Sequence, residues 1–174
     1  GTIVPGGQGR LYRIDTDGSV HTLLTEQGCP NGMAFSKDQR SFYYTNTPDL
    51  TVWQFDYDKA TGQTTNKRAF IHADKKDGYP DGMTIDADDH FWSARWDGSC
   101  VIRYSPQGEE VSRIELPTLK VSSITFGGDD YTDIYLTTAG GGDKAKNGQT
   151  AGALYRVTGH SFRGRPEYRS RVGL

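Results

Sequence analysis

Asn31 and Asp81 are the residues of this 174-residue chain whose types and spacing could do chemistry together. They hold the same place in two copies of one motif, Pro30-Asn31-Gly32-Met33-Ala34-Phe35 and Pro80-Asp81-Gly82-Met83-Thr84-Ile85, set 50 residues apart. A weaker third copy, Ser122-Ser123-Ile124-Thr125-Phe126, puts Ser122 at that place, 41 residues beyond Asp81. If each copy begins an equivalent strand around a shared axis, an amide carbonyl, a carboxylate and a hydroxyl converge there. Such an all-oxygen set suits a hard divalent cation. Asn-Gly and Asp-Gly are also ordinary turn dipeptides at strand starts, and spacing alone leaves both readings open. Two protein ligands rarely suffice for such an ion, so a further carboxylate is expected from outside these repeats.

Other candidates carry less. His21, His72, His90 and His160 are widely spaced, with no pair at a ligand interval. Asp86-Ala87-Asp88-Asp89 begins like a calcium loop, but His90-Phe91 follow where a turn glycine and more oxygen ligands are needed; a hairpin turn is expected. The stretch Ala139 to Gly152 is glycine-rich but lacks the spacing of a phosphate cradle and reads as a flexible surface loop. Cys29 and Cys100 match no metal spacing and read as two unpaired thiols, which suits a reducing cytoplasm. Trp92 and Trp96 either wall the channel or pack between sheets, packing being the expectation. Arg163, Arg165, Arg169 and Arg171 make a mildly basic tail, expected to be a solvated face or a docking segment for the missing N-terminal blade.

The elements that must position Asn31 and Asp81 read as strands. Each motif copy is followed by a polar turn and then by short runs rich in aromatic and β-branched residues: Ser41 to Thr45 and Val52 to Tyr57, Phe91 to Arg95 and Val101 to Tyr104, Ile134 to Thr138 and Ala153 to Val157. Lys67 to Ile71 and Glu110 to Leu116 supply outer strands, and nothing sustains a helical period. Four short strands per unit of about 40–50 residues indicate an all-β β-propeller. The chain reads as one partial propeller domain, 1–174, with blades at 31–73 and 81–116, a partial closing blade at 122–157 and a partial blade at 10–25. That is about three blades, whereas closed propellers use about four to eight. Closure is expected to come from a longer chain, from a second copy in a homo-oligomer, or from a complementing chain.

Composition excludes several classes. A net charge of -2 without any basic run gives no bulk attraction to nucleic acid or to an anionic membrane surface. No apolar run approaches the roughly 18 residues of a membrane span. Gly1 to Gly9 has neither a basic start nor an apolar segment, so no secretory signal is read there and a cytoplasmic protein is expected.

The motif pair, with Phe55-Asp56-Tyr57-Asp58, Ile85-Asp86-Ala87, Phe91-Trp92-Ser93-Ala94-Arg95-Trp96, Val101-Ile102-Arg103-Tyr104, Phe126-Gly127-Gly128 and Tyr135-Leu136-Thr137-Thr138-Ala139, resembles the senescence marker protein (regucalcin), gluconolactonase and luciferin-regenerating enzyme family. The resemblance implies a six-bladed propeller with one divalent cation in the central channel (Ca2+ or Zn2+, with Mg2+ or Mn2+ as alternatives). It also implies hydrolysis of a small-molecule sugar lactone. Carried over residue by residue, the family's metal-binding asparagine and aspartate fall on Asn31 and Asp81, and Asp81 doubles as the catalytic base that activates water. Ser122 remains a channel-lining candidate. The family's N-terminal glutamate ligand has no counterpart. Its substrate-contacting arginine and asparagine precede a Gly-Thr-Met segment that resembles Gly1-Thr2-Ile3, so they would fall before residue 1. The alternatives are a non-catalytic metal-binding or assembly module, or an inactive propeller fragment.

Overall fold

A computed structural model describes residues 7–140 and 142–173; the Gly1-Thr2-Ile3 segment lies outside them. The described residues form four antiparallel sheets that follow one another along the chain. The first pairs β1 (Gly9–Ile14) with β2 (Val20–Gln27). The second runs β3 (Pro30–Phe35), β4 (Ser41–Asn46), β5 (Thr51–Asp58) and β6 (Gln63–His72) in order. The third repeats this as β7 (Tyr79–Ile85), β8 (Phe91–Trp96), β9 (Cys100–Tyr104) and β10 (Glu110–Glu115). The fourth contains β11 (Val121–Gly127), β12 (Asp133–Thr138) and β13 (Leu154–Val157).

Alternating side chains send one set of apolar residues to each face, so the sheets stack like pages. Tyr43, Val52 and Ile71 of the second sheet meet Ile85, Phe91 and Ile102 of the third. The opposite face of the third, with Trp92, Ala94 and Val101, meets Ile124, Ile134 and Leu136 of the fourth. Leu11 of the first sheet joins Phe42, Tyr44 and Phe55 of the second. Trp92 is therefore interlayer packing, as expected. The first strand of each later sheet, β3, β7 and β11, lies beside the next, and these three form the inner edge of the stack.

Two connecting segments differ from expectation. The glycine-rich loop is tied down: Asp143 caps a single helical turn, α1 (Lys144–Asn147). The Asn147 carbonyl accepts from Leu119 N and Thr118 Oγ1. Its sequence lacks a helical period because one turn needs none. The basic tail keeps Arg163, Arg169 and Arg171 exposed, as expected, but it docks on the sheets of this chain. Gly164 N donates to Tyr131 O, Ala87 N to Arg163 O, Arg165 Nη2 to Phe35 O and Gly173 N to Thr16 O. The segment thus straps all four sheets, with the Phe162 ring 5.0 Å from that of Trp92. Among the described residues, no helix is long and apolar enough to cross a membrane.

Candidate metal and active site

The inner strands share a local irregularity at the motif position. The register slips between Pro30 and Met33 on β3, between Pro80 and Met83 on β7, and between Val121 and Ser123 on β11. A bulge re-aims the side chain it carries, and these bulges carry Asn31, Asp81 and Ser122. Asn31-Gly32 and Asp81-Gly82 are therefore strand residues at bulges. The turn reading is set aside, since neither Gly32 nor Gly82 has the left-handed φ of a turn glycine.

Asn31 and Asp81 line one cavity of about 320 Å3, together with Cys29, Thr47, Tyr79, Trp96 and Asp97. Ser122 is not among its lining residues; its hydroxyl lies 2.9 Å from Thr137 Oγ1. Both cysteines are free thiols, Cys100 being buried away from the cavity. Trp96 is the tryptophan that walls the cavity. The Lys120 ammonium sits 4.7 Å from its ring and 2.6 Å from Asp97 Oδ1, fixing one rim.

Thr47 was missed by motif reading. It opens a short 3-10 turn, Thr47–Asp49, immediately after β4. Pro30 pairs with Asn46, so the residues after β4 must lie beside the start of β3. The same logic places Trp96 and Asp97, at and after the end of β8, beside Tyr79. Hairpin pairing was the signal that could have found Thr47 and Asp97 and decided between the two readings of Trp96. Thr47 is 6% exposed. Its hydroxyl accepts from Asn31 Nδ2 at 3.1 Å and donates to the Pro80 carbonyl at 2.9 Å.

Burial pushes the Asp81 carboxyl up to about 6, with the Asn31 amide acting in the opposite direction. No lysine or arginine of the described residues acts on it. A carboxylate withdrawn from water without a cationic side chain is costly to ionise unless a cation joins it. The oxygen donors of Asn31 and Asp81 fit such an ion in chemical type. Among the described residues no cluster of three His, Cys, Asp or Glu side chains could hold a metal, so these residues alone are an incomplete ligand set.

Over most of its length the chain is similar to known proteins. The family model for the SMP-30/gluconolactonase/LRE-like region matches residues 2–140. Pentonolactonase XacC of Haloferax volcanii is 46% identical over 174 residues, covering 95% of this chain and 59% of that protein. Regucalcin of Oryctolagus cuniculus is 36% identical over 165 residues, covering 92% of this chain and 55% of that protein. The crystal structure of a calcium-binding regucalcin from Agrobacterium tumefaciens superposes with a TM-score of 0.84 at 29% identity, covering 94% of this chain and 57% of that one. The chain thus spans little more than half the length of these relatives. It is an all-β, propeller-type chain, and it belongs to the SMP-30/gluconolactonase/LRE-like family.

Proposed function

We propose that this chain supplies Asn31 and Asp81 to a divalent-cation site that hydrolyses a sugar lactone. The observation that carries the reading is the convergence of these two side chains, from neighbouring inner strands, on one cavity where Asp81 has no cationic side-chain partner among the described residues. The relatives named pentonolactonase and regucalcin direct the substrate reading to lactones of small sugars and the cofactor reading to Ca2+, with Zn2+, Mg2+ and Mn2+ as alternatives.

A bound cation would polarise the lactone carbonyl and favour charge on its oxygen. The chain's own residues do the rest. Asp81, ionised, takes a proton from water as the water oxygen attacks the carbonyl carbon. The tetrahedral intermediate then collapses by breaking the bond to the ring oxygen, which receives the proton, and a hydroxy acid leaves. Trp96, Tyr79 and Asp97 bound the space the sugar would fill.

In this proposal the four sheets are blades and part-blades of a six-bladed ring. Its remainder, with a further carboxylate ligand, comes from a longer chain, a second copy or a partner. A second reading, an assembly module that binds a cation without turnover, draws on the incomplete ligand set among the described residues. Native mass spectrometry with added cation, followed by a pH-drop assay on pentono- and gluconolactones, separates them. Turnover that stops with EDTA and in Asp81→Ala supports the lactonase. One cation bound without turnover supports the module, and full turnover in Asp81→Ala overturns the site.

A further inference from the structure

We infer that Thr47 is a positioning residue that fixes which end of the Asn31 amide faces the cation; the inference rests on the cation site proposed above. Hydrogen-bond direction fixes the amide. A hydroxyl has a single proton. The Pro80 carbonyl, 2.9 Å from Thr47 Oγ1, can only accept, so that proton is committed to it. Toward Asn31 the same oxygen can then only accept. The amide must offer Nδ2, which stands 3.1 Å away. An asparagine amide is otherwise free to turn over, because its two ends have nearly the same shape. Here the turned-over form would set Oδ1 against an oxygen with no proton left to give.

Two consequences follow for the site. Oδ1 accepts no hydrogen bond among the described residues and is left to ligate. The Asn31 side chain also acts on the neighbouring Asp81 carboxyl, opposing the effect of burial. One buried hydroxyl also ties β3 to β7 at Pro80, the residue before the second ligand. Thr47 itself is held without reference to the cation: its backbone N–H donates to Cys29 O at 3.1 Å, and Pro48 follows it in the turn. The groups that orient a ligand typically set metal affinity by about 10–100-fold. Thr47 does this for an amide where most such partners do it for an imidazole.

The test is calorimetric titration of the 174-residue chain with Ca2+, and separately with Mn2+, comparing wild type, Thr47→Val and Thr47→Ser. Valine keeps the shape and removes the hydroxyl; serine keeps the hydroxyl. The expected result is about a 10–100-fold loss of affinity in Thr47→Val and near wild-type affinity in Thr47→Ser. Thr47→Ala replaces the valine variant if circular dichroism shows that valine disturbs the fold. Repeating the pair in an Asn31→Asp background gives a readout that a merely structural role would not move. A carboxylate has no wrong end, so the loss should shrink to a few-fold or less. Equal affinities for wild type and Thr47→Val, or a loss of the same size in both backgrounds, overturn the inference while leaving the cation site standing. A wild-type chain that binds neither ion, alone or within the assembly that completes the ligand set, overturns the site and the inference together.

Discussion

A β-carbon on residue 32 would lie 2.7 Å from the carbonyl oxygen of Asp81, so Gly32 is what allows β3 and β7 to meet at the cavity. Gly82 stands in the same relation to β11: a β-carbon there would lie 2.8 Å from Ser122 O and 2.4 Å from Ser123 Oγ. Each motif glycine thus makes room for the backbone of the next motif copy. The pairing of a ligand type with glycine is a steric requirement of closely packed inner strands, placed where the ligands must converge.

Gly32→Ala and Gly82→Ala should therefore destabilise the chain by about 1–3 kcal/mol, the usual cost of overpacking. Backbone atoms are among those struck, so the strain cannot relax by turning a side chain alone. Gly140→Ala is the control, since its β-carbon would find nothing nearer than 3.5 Å. Denaturant unfolding of the three variants checks the order. Ca2+ affinity should fall with Gly32→Ala and Gly82→Ala and stay unchanged with Gly140→Ala.

Asp81 gives the cation-free chain an unusual pH response. Its folded pKa, about 6, lies above the unfolded value of 3.8. Between these pH values the unfolded chain has released the proton and the folded chain still holds it. This contribution to stability is therefore present below about pH 4 and is lost as pH rises through 6. Cys29, Tyr79 and Asp97 are the other titratable side chains lining the cavity. Scanning calorimetry in EDTA should show a melting temperature falling across this window, with the fall abolished in Asp81→Asn. With saturating Ca2+ the carboxylate stays ionised, and affinity should weaken as pH drops below 6. A flat apo profile would remove Asp81 from its desolvated position.

The strands were legible because the structure asks only for local alternation and turn chemistry. Val52 to Tyr57 lies within β5, and Phe91 to Arg95 within β8. Asn31 and Asp81 were legible as a pair because repetition exposes equivalent positions. Thr47 was not, since its role depends on two hydrogen bonds to β3 and β7, 16 and 33 residues away. The docking partner of the tail was hidden for the same reason: Arg165 meets Phe35, 130 residues earlier, only in the folded chain. Ser122 matched in position, but its hydroxyl is shared with Thr137, a contact that sequence spacing does not encode.

Asp86 and Arg103 form an ion pair in which the carboxylate is 1% exposed. Arg103 approaches with Nη2 at 2.8 Å and Nε at 2.9 Å, and Trp92 Nε1 adds a third bond at 3.0 Å. The other oxygen accepts from the backbone of Asp88 and His90, so the same carboxylate holds the β7–β8 turn. Removing one partner of such a pair leaves a buried charge alone and typically costs about 3–5 kcal/mol. Arg103→Met should lower stability by that amount, and Asp86→Ala by at least as much because the turn loses its acceptor. Chemical denaturation measures both; a cost below about 1 kcal/mol for Arg103→Met would show that the pair is solvated.

The strap formed by residues 162–173 should hold the sheets together as a unit. Its bonds reach Tyr131, Ala87, Phe35 and Thr16, one point on each sheet or its turns. Phe162 covers Trp92, and the Arg103 guanidinium lies 4.7 Å from the Phe162 ring, so the strap also shields the Asp86 ion pair. A chain ending at Ser161 should unfold at lower temperature, be cut faster by protease at sheet edges, and show red-shifted tryptophan emission as Trp92 gains water. Arg165→Ala removes one tether at Phe35 and should give a smaller shift in the same direction. Ca2+ affinity is the discriminating readout. The strap crosses Phe35 and the turn after β7, the ends of β3 and β7 far from Asn31 and Asp81. Its loss should therefore lower the melting temperature with little change in affinity. A large fall in affinity would place the strap in the site's own support.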